Sequence, residues 1–290
     1  MAWSLAAFGI GAGAAIAARG FHGLDWVNLA LTVAGGVFFQ GVVAHSTNEL
    51  IDWKSGTDRY SDGILSGGAK VLRRGVLTQC ELELYSWLGG IAAFGVALAL
   101  GRRVGGWVWL VYIVGCWASL GYSLPPLRLA YRPLAGEWLA AWPATWTCVY
   151  AGGLILGAPR TSSLALAASV HATMSVSWLM QHHLADIPAD LAAVPQKQTT
   201  VAWASMYIGR VNCRYIVAGY FLLTACLALL LCNSLWITVL PAVLAVLGAV
   251  AALATDPQSV ASITTWQRVM IGLSLVDALV LGSGLAIGIW

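Results

Sequence analysis

Two acidic stretches carry the chemistry this sequence is able to do. The first is Asn48-Glu49-Leu50-Ile51-Asp52-Trp53-Lys54-Ser55-Gly56-Thr57-Asp58; the second is Asp186-Ile187-Pro188-Ala189-Asp190. Each sets two oxygen-bearing side chains four residues apart. On a helix that spacing puts both on one face, about 6 Å apart along the axis. Carboxylate and amide oxygens are the ligands hard cations prefer, and Mg2+ typically keeps waters and shares substrate phosphates. The two stretches are therefore expected to face each other and hold metal ions against a diphosphate. Taken alone, Asp58, Asp62, Glu81 and Glu83 read equally well as solvated loop carboxylates.

The elements that position them are apolar. Of 290 residues, 59% are hydrophobic and 9% charged, against roughly a quarter charged in a soluble globular chain. Such a chain cannot cover itself with a water-facing surface, so the sequence reads as an integral membrane protein. Long unbroken apolar runs, rather than alternation, select helices for the spans. Nine are expected, at roughly 2–18, 27–47, 82–100, 106–123, 134–157, 162–183, 213–232, 235–254 and 268–289. With no linker or break in composition, residues 1–290 read as one domain. The expected class is all-α: a polytopic bundle of about nine transmembrane helices.

Charge orients it. Lys54, Arg59, Lys70, Arg73, Arg74, Arg128, Arg132, Lys197, Arg210, Arg214 and Arg268 fall on the side of the long loops. Only Arg19, Arg102, Arg103 and Arg160 fall on the other. The positive-inside rule then puts the acidic motifs on the cytoplasmic face, the N-terminus inside and the C-terminus outside. The net charge of +3, without a basic tract, gives no footprint for nucleic acid. The six cysteines have no CxxC spacing and read as small apolar residues. Gly9, Gly11 and Gly13 are a fragment of a dinucleotide fingerprint, but with no strand before them they read as helix-packing positions.

The residues then reach a family. Asn48-Glu49-x-x-Asp52-x-x-x-Gly56-x-Asp58 resembles the first aspartate-rich motif of the UbiA superfamily of intramembrane prenyltransferases, its menaquinone-type branch above all. Ser66-Gly67-Gly68-Ala69-Lys70-Val71-Leu72-Arg73-Arg74-Gly75 is similar to the segment that follows it there. Tyr122-Ser123-Leu124-Pro125-Pro126-Leu127-Arg128-Leu129 resembles the mid-chain basic motif, and Asp186-x-x-x-Asp190 with Lys197-Gln198-Thr199 the second aspartate-rich motif and its trailing lysine. The resemblance spans essentially the whole chain. It implies a helix bundle around a central cavity in which Asn48, Asp52, Asp186 and Asp190 are catalytic residues and hold Mg2+. It further implies that Asp58 supports them and that Lys70, Tyr122, Arg128 and Lys197 bind a prenyl diphosphate. Arg73, Arg74 and Arg132 are neighbours of that set. The sequence departs from the family at Glu49, where aspartate is usual, and at Gln181-His182-His183-Leu184-Ala185, where asparagines and an arginine are common. It departs again at Leu191 and at Val194-Pro195-Gln196.

An allylic diphosphate ionises when charge on its leaving group is stabilised, which Mg2+ and Lys or Arg side chains do. The cation left behind needs a dry, aromatic-lined chamber, for which Trp53, Trp87, Trp178 and Tyr122 are candidates. The leading expectation is Mg2+-dependent transfer of a prenyl group to an aromatic or quinone-precursor acceptor, within membrane lipid. A terpene cyclase acting on the diphosphate alone is the alternative, motivated by the altered His182–Ala185 segment. A non-enzymatic isoprenoid-binding protein is the remote one. His182 and His183, four and three residues before Asp186, are expected on one helix face with it, and His183 is a candidate substrate contact. His45, three residues before Asn48, is a similar case. His171 and Asp277 lie deeper and have no partner legible in sequence.

Overall fold

The computed structural model describes residues 2–61, 65, 69–232 and 239–289. Asp62 and the Ser66-Gly67-Gly68 part of the second motif segment lie outside the described residues. Among the described residues there is helix and no strand. Nine long helices follow in order among the described residues: α1 (Ala2–Arg19), α2 (Trp26–Ser55), α3 (Gln79–Val104), α4 (Val108–Gly121), α5 (Trp142–Ile155), α6 (Ser162–Leu184), α7 (Cys213–Leu229), α8 (Leu240–Ala254) and α9 (Val260–Ala286). Five of them, α2, α3, α6, α9 and α7 with its leading turn, are long and apolar enough to cross a membrane. The chain is an integral membrane protein with an all-α bundle.

Three boundaries differ from expectation, each for a local reason. Helix α2 does not end near residue 47. It runs to Ser55, so Asn48–Ser55 of the first acidic motif form its last two turns. Helix α9 starts at Val260, where the Ser259 hydroxyl accepts from the Ser262 N–H, and it therefore includes Arg268. The stretch expected to begin the eighth span at 235 lies partly outside the described residues, and α8 starts at Leu240. Helix α3 opens on a capping box: Thr78 caps the Glu81 N–H, and Glu81 caps the Thr78 N–H in return.

Helix α6 is the axis of the bundle. Val170, Met174, Val176 and Met180 are fully buried, and α5, α7 and α9 pack around it. Its polar residues find partners on α5, on α7 and at the end of α8, as groups away from water must. Ser177 meets Thr224 at 3.1 Å, Gln181 donates to Thr255 at 3.0 Å, and Trp142 donates to Thr173 at 3.0 Å. The periphery is the reverse. Leu84, Leu88, Ile91, Leu110, Ile113, Leu222 and Leu279 are exposed on the outer faces, the pattern a lipid-facing surface requires.

Two of the three early glycines, Gly11 and Gly13, pack helices; space at Gly9 is open. A side chain at Gly13 would fall on the Gly282 carbonyl of α9, and one at Gly11 on the backbone of Val149 and Gly153 in α5. Helix α1 thus touches both neighbours backbone to backbone. We expect Gly13→Ala to cost about 1–3 kcal/mol, the usual range for overpacking. Unfolding curves in detergent against Gly9→Ala, where space is open, check this.

Two stretches widen to π turns, Val37–Ala44 within α2 and Glu137–Ala141 leading into α5. Both face the interior cavity, where such turns commonly mark functional walls.

Candidate active site

The acidic residues are placed by how two helices stop. Helix α2 ends because Gly56 takes a left-handed conformation (φ 96°), its N–H closing on the Asp52 carbonyl at 3.0 Å. A Cβ would strain that turn. The reversal folds the short helix Thr57–Tyr60 back, burying Asp58. Helix α6 ends at Leu184, and a second short helix, Ile187–Ala192, begins after Asp186. The second acidic pair therefore straddles a turn and a short helix, not the end of a span, and Asp186 does not share a helix with His182 and His183. The two segments are tied together directly, by the Val194 N–H donating to the Ser55 carbonyl at 2.9 Å.

Asp52 is the hub. Its Oδ2 accepts from Lys197 Nζ at 2.6 Å and from Asn48 Nδ2 at 2.9 Å, and its Oδ1 accepts from the Tyr131 hydroxyl at 3.1 Å. Asn48 Oδ1 accepts from the Ser123 hydroxyl at 3.0 Å. Lys197 reaches toward Asp190 Oδ1 at 4.0 Å and stands 5.7 Å from the Tyr131 ring. Asp190 accepts from the Thr199 hydroxyl, and Asp186 from the Ser61 hydroxyl. Arg128 lies over the same ring, 5.6 Å from its centroid.

Below this network lies a cavity of about 590 Å³, running between α2, α3, α4, α5 and α6. Asn48, Asp52, Tyr122, His183, Asp186 and Lys197 line its mouth. Asp58, Lys70, Arg128 and Asp190 do not reach its wall, although the sequence grouped them with those that do. Asp190 is 1% exposed, behind Lys197. Lys70 donates to the Ser61 carbonyl at 3.1 Å, as does Arg73 at 2.6 Å. Glu49 faces away from the set. Its Oε1 accepts from the Leu72 N–H at 3.0 Å and pins the following segment to α2. Deeper walls are apolar or aromatic: Phe8, Phe39, Tyr112, Trp178 and Leu100. Of the four aromatic candidates, Trp178 and Tyr122 line the cavity, Trp53 stacks under Arg59 at 4.9 Å, and Trp87 is exposed on the outer face.

Tyr131, Ser61, Ser123 and Thr199 are site residues that the motif reading did not single out. Ser123 and Thr199 lay inside quoted motifs. Tyr131 had only its place in the same loop as Arg128 to suggest it.

The donors fit a divalent cation. Four carboxylates, Asp52, Asp58, Asp186 and Asp190, are buried together with Lys197 as their close ammonium. Both oxygens of Asp58 and Oδ1 of Asp190 have no hydrogen-bond donor. Buried carboxylate oxygens without donors are costly, and an all-oxygen set suits a hard ion. Among the described residues no group of three or more His, Cys, Asp or Glu side chains stands together closely enough to hold a metal ion by protein atoms alone; Mg2+ usually completes its shell with waters and substrate phosphates. The Asn48 oxygen and both Asp52 oxygens accept from protein donors.

Burial, and next the charge of Asp52, push the Asp58 carboxyl up to about 8. Burial likewise pushes Asp190 well above the usual carboxylate range, with Lys197 opposing. Burial works against the Lys197 ammonium, but Asp52 and Asp190 outweigh it and hold the group charged. The folded chain thus keeps protons on Asp58 that the unfolded chain loses near pH 4, so stability falls as pH rises from about 4 to about 8. We expect metal-free protein to unfold more readily at pH 8 than at pH 5. Asp58→Asn should flatten that slope, and Asp190 should leave a remainder of the same sign. Denaturant titrations at both pH values read it.

No family model and no curated protein matches the sequence. Solved structures do. A structure of a UbiA homolog from Archaeoglobus fulgidus bound to DMAPP and Mg2+ superposes with a TM-score of 0.65 at 16% identity, covering 96% of each chain. The same homolog bound to GPP and Mg2+ gives 0.63 at 18% identity, over 97% of this chain and 96% of that one. A further structure of it gives 0.60 at 16% identity, with the same two coverages. End to end, this chain has the fold of the UbiA homologs.

Proposed function

We propose that the chain is a member of the UbiA superfamily: a Mg2+-dependent intramembrane prenyltransferase that ionises a prenyl diphosphate and passes the prenyl group to an aromatic acceptor. One observation carries the reading. Two helix-end acidic segments, tied through Lys197 and Tyr131, converge on the mouth of an apolar cavity of about 590 Å³. The structures it resembles are of a homolog bound to DMAPP or GPP with Mg2+, which supports the same ligand class here.

Asn48, Asp52, Asp186 and Asp190 would hold the metal, with Asp58 in support behind them. When bound, Mg2+ would stabilise charge on the departing diphosphate as a Lewis acid. Lys197 is an ammonium at the mouth, already charged and desolvated, so it binds a diphosphate oxygen without reorganising water. Tyr122 flanks that position; Lys70 and Arg73 hold the Ser61 carbonyl and Arg128 lies over Tyr131, which fixes the segments around it. Trp178, Phe39 and Tyr112 enclose the prenyl tail and keep water from the allylic centre. Residues 1–290 act as one domain, with the acidic mouth cytoplasmic, the N-terminus inside and the C-terminus outside.

Purified protein with geranyl diphosphate and Mg2+ should release diphosphate and prenylate an aromatic acceptor. Cyclic hydrocarbons made from the diphosphate alone would replace this reading with a terpene cyclase. No release with DMAPP, geranyl or longer diphosphates would end the enzyme reading.

A further inference from the structure

The segment that carries Lys197 into the site continues as an element that the chemistry above does not use. After Thr199 the chain forms the helix Thr200–Ile208, which has no charged residue. Its inner face, with Val201, Ala202 and Ala204, is buried against the bundle. Its outer face presents Trp203, Met206, Tyr207 and Ile208, and Tyr207 is 73% exposed. A helix bathed in water carries charge on its outer face. Aromatic and apolar groups there fit the level where lipid headgroups meet acyl chains.

Gly209 (φ 77°) then turns the chain into α7, and two arginines stand at the turn. Arg210 Nη2 donates to the Leu184 carbonyl at 3.3 Å and Arg214 Nη1 to the Leu253 carbonyl at 3.5 Å, at the mouth-side ends of α6 and α8. Arg214 also lies 5.2 Å from the Tyr215 ring, with Nη2 3.5 Å from its hydroxyl. Each guanidinium has five N–H donors, so most of them have no acceptor among the described residues. Neither arginine forms an ion pair there. Asp256 is the acidic group whose charge acts on Arg210, which leaves the turn net positive. From Tyr215 the outer stripe of α7 continues through Leu222, Leu223 and Leu229, all exposed. A cationic, aromatic rim at the head of an apolar stripe is complementary to an anionic lipid, with its phosphate at the rim and an acyl chain along the stripe.

We propose that Arg210 and Arg214 bind the phosphodiester of an anionic phospholipid, that the helix Thr200–Ile208 lies in the membrane interface beside it, and that this lipid steadies the strap holding Lys197 and Asp190. The strap is short. Thr199 caps the interfacial helix, accepting from the Ala202 N–H, and its hydroxyl donates to Asp190 Oδ2 at 3.2 Å. The Lys197 N–H donates to the Asp190 carbonyl at 2.9 Å. A tilt of the helix is therefore passed to both side chains. The effect on ligand binding rests on the prenyl diphosphate reading above; the lipid site itself does not.

The test uses the full chain in nanodiscs of phosphatidylcholine, with and without phosphatidylglycerol. Native mass spectrometry of protein from the mixed nanodiscs should show phosphatidylglycerol retained over phosphatidylcholine by about 25-fold, roughly fivefold for each arginine. Arg210→Gln/Arg214→Gln should lose that preference, and Arg210→Lys/Arg214→Lys should keep most of it. Arg102→Gln/Arg160→Gln, at the end of α3 and before α6 and so away from the mouth, should leave it intact. At saturating MgCl2, geranyl diphosphate should bind wild type at least about fivefold tighter than it binds the glutamine pair in the same phosphatidylglycerol nanodiscs. The variant is the reference because an anionic surface itself gathers Mg2+. Should the glutamine pair misfold, hydrogen exchange of wild type decides: amides of residues 200–208 should exchange more slowly with phosphatidylglycerol than without, and those of 105–107, at the far end, should not change. Equal retention of the two lipids by wild type, wild-type retention by the glutamine pair, or unchanged exchange over 200–208 overturns the lipid site. So does equal slowing by inorganic phosphate in phosphatidylcholine nanodiscs, which would make the site one for a free anion. Equal affinity of wild type and variant for geranyl diphosphate overturns the strap. Absence of Mg2+-dependent geranyl diphosphate binding in either membrane removes the prenyl diphosphate reading, while the lipid results stand on their own.

Discussion

Asp52→Asn should lower Mg2+-dependent diphosphate release by about 10²–10³-fold or more while leaving the protein folded. Removing one preorganised electrostatic group typically costs that range, and Asp52 is the group on which the others depend. Its two oxygens accept from Lys197, Asn48 and Tyr131 at once. An asparagine offers one oxygen and one N–H2, so at least one of those three donors meets another donor. The variant therefore loses a carboxylate for the cation and also loosens Lys197 and Asn48. Steady-state release assays measure the effect, with a melting curve to show that the fold is retained. Ser123→Ala, which removes only the donor to Asn48, should cost far less. A variant with wild-type turnover would show that the acidic hub is structural.

The second large effect is on stability. Lys197→Met should destabilise the metal-free protein by about 3–5 kcal/mol, the usual cost of leaving a buried charge without its partner. The Lys197–Asp52 pair is 2.6 Å long, with side chains 8% and 2% exposed, so solvent screens little of it. Methionine matches the stem but not the ammonium, which leaves Asp52 and Asp190 facing each other's charge. Adding Asp52→Asn to Lys197→Met should recover part of the loss, because the stranded charge is removed along with its partner. Denaturant unfolding of the two single variants and the double gives the coupling. Additive losses would mean that the pair does not act as a unit.

Much of the site could be read in the sequence because its physics is local. Asn48 and Asp52 share a helix face by spacing alone, and acidic residues closing apolar runs are costly enough to draw notice. The spans follow from hydropathy. What could not be read is what the chain brings together from afar. Lys197 was expected at a diphosphate, and the fold pairs it with Asp52, 145 residues away. Tyr131 donates to Asp52 from a short turn that no periodicity marks. Glu49 has the same charge and nearly the same position as its neighbours in the motif. Its partner is a backbone N–H in the next segment, and only the fold shows which way it turns. Helix α2 was cut short in the sequence reading because its last turns are polar. The tertiary contacts of Asn48 and Asp52 keep those turns helical. His171 and Asp277, which had no legible partner, find each other at 3.0 Å across α6 and α9. That contact joins residues more than a hundred positions apart, and each of them looked isolated in its own span.

The most direct measurement of the central claim is ligand-linked thermal stability of the purified protein. Binding of ligand to the folded state raises its melting temperature by mass action. If the acidic segments hold a cation against a diphosphate, geranyl diphosphate with Mg2+ should raise the melting temperature well above the sum of either alone. Asp186→Asn/Asp190→Asn should remove that excess. Equal stabilisation by geranyl diphosphate in EDTA, or an undiminished excess in the double variant, would contradict the account.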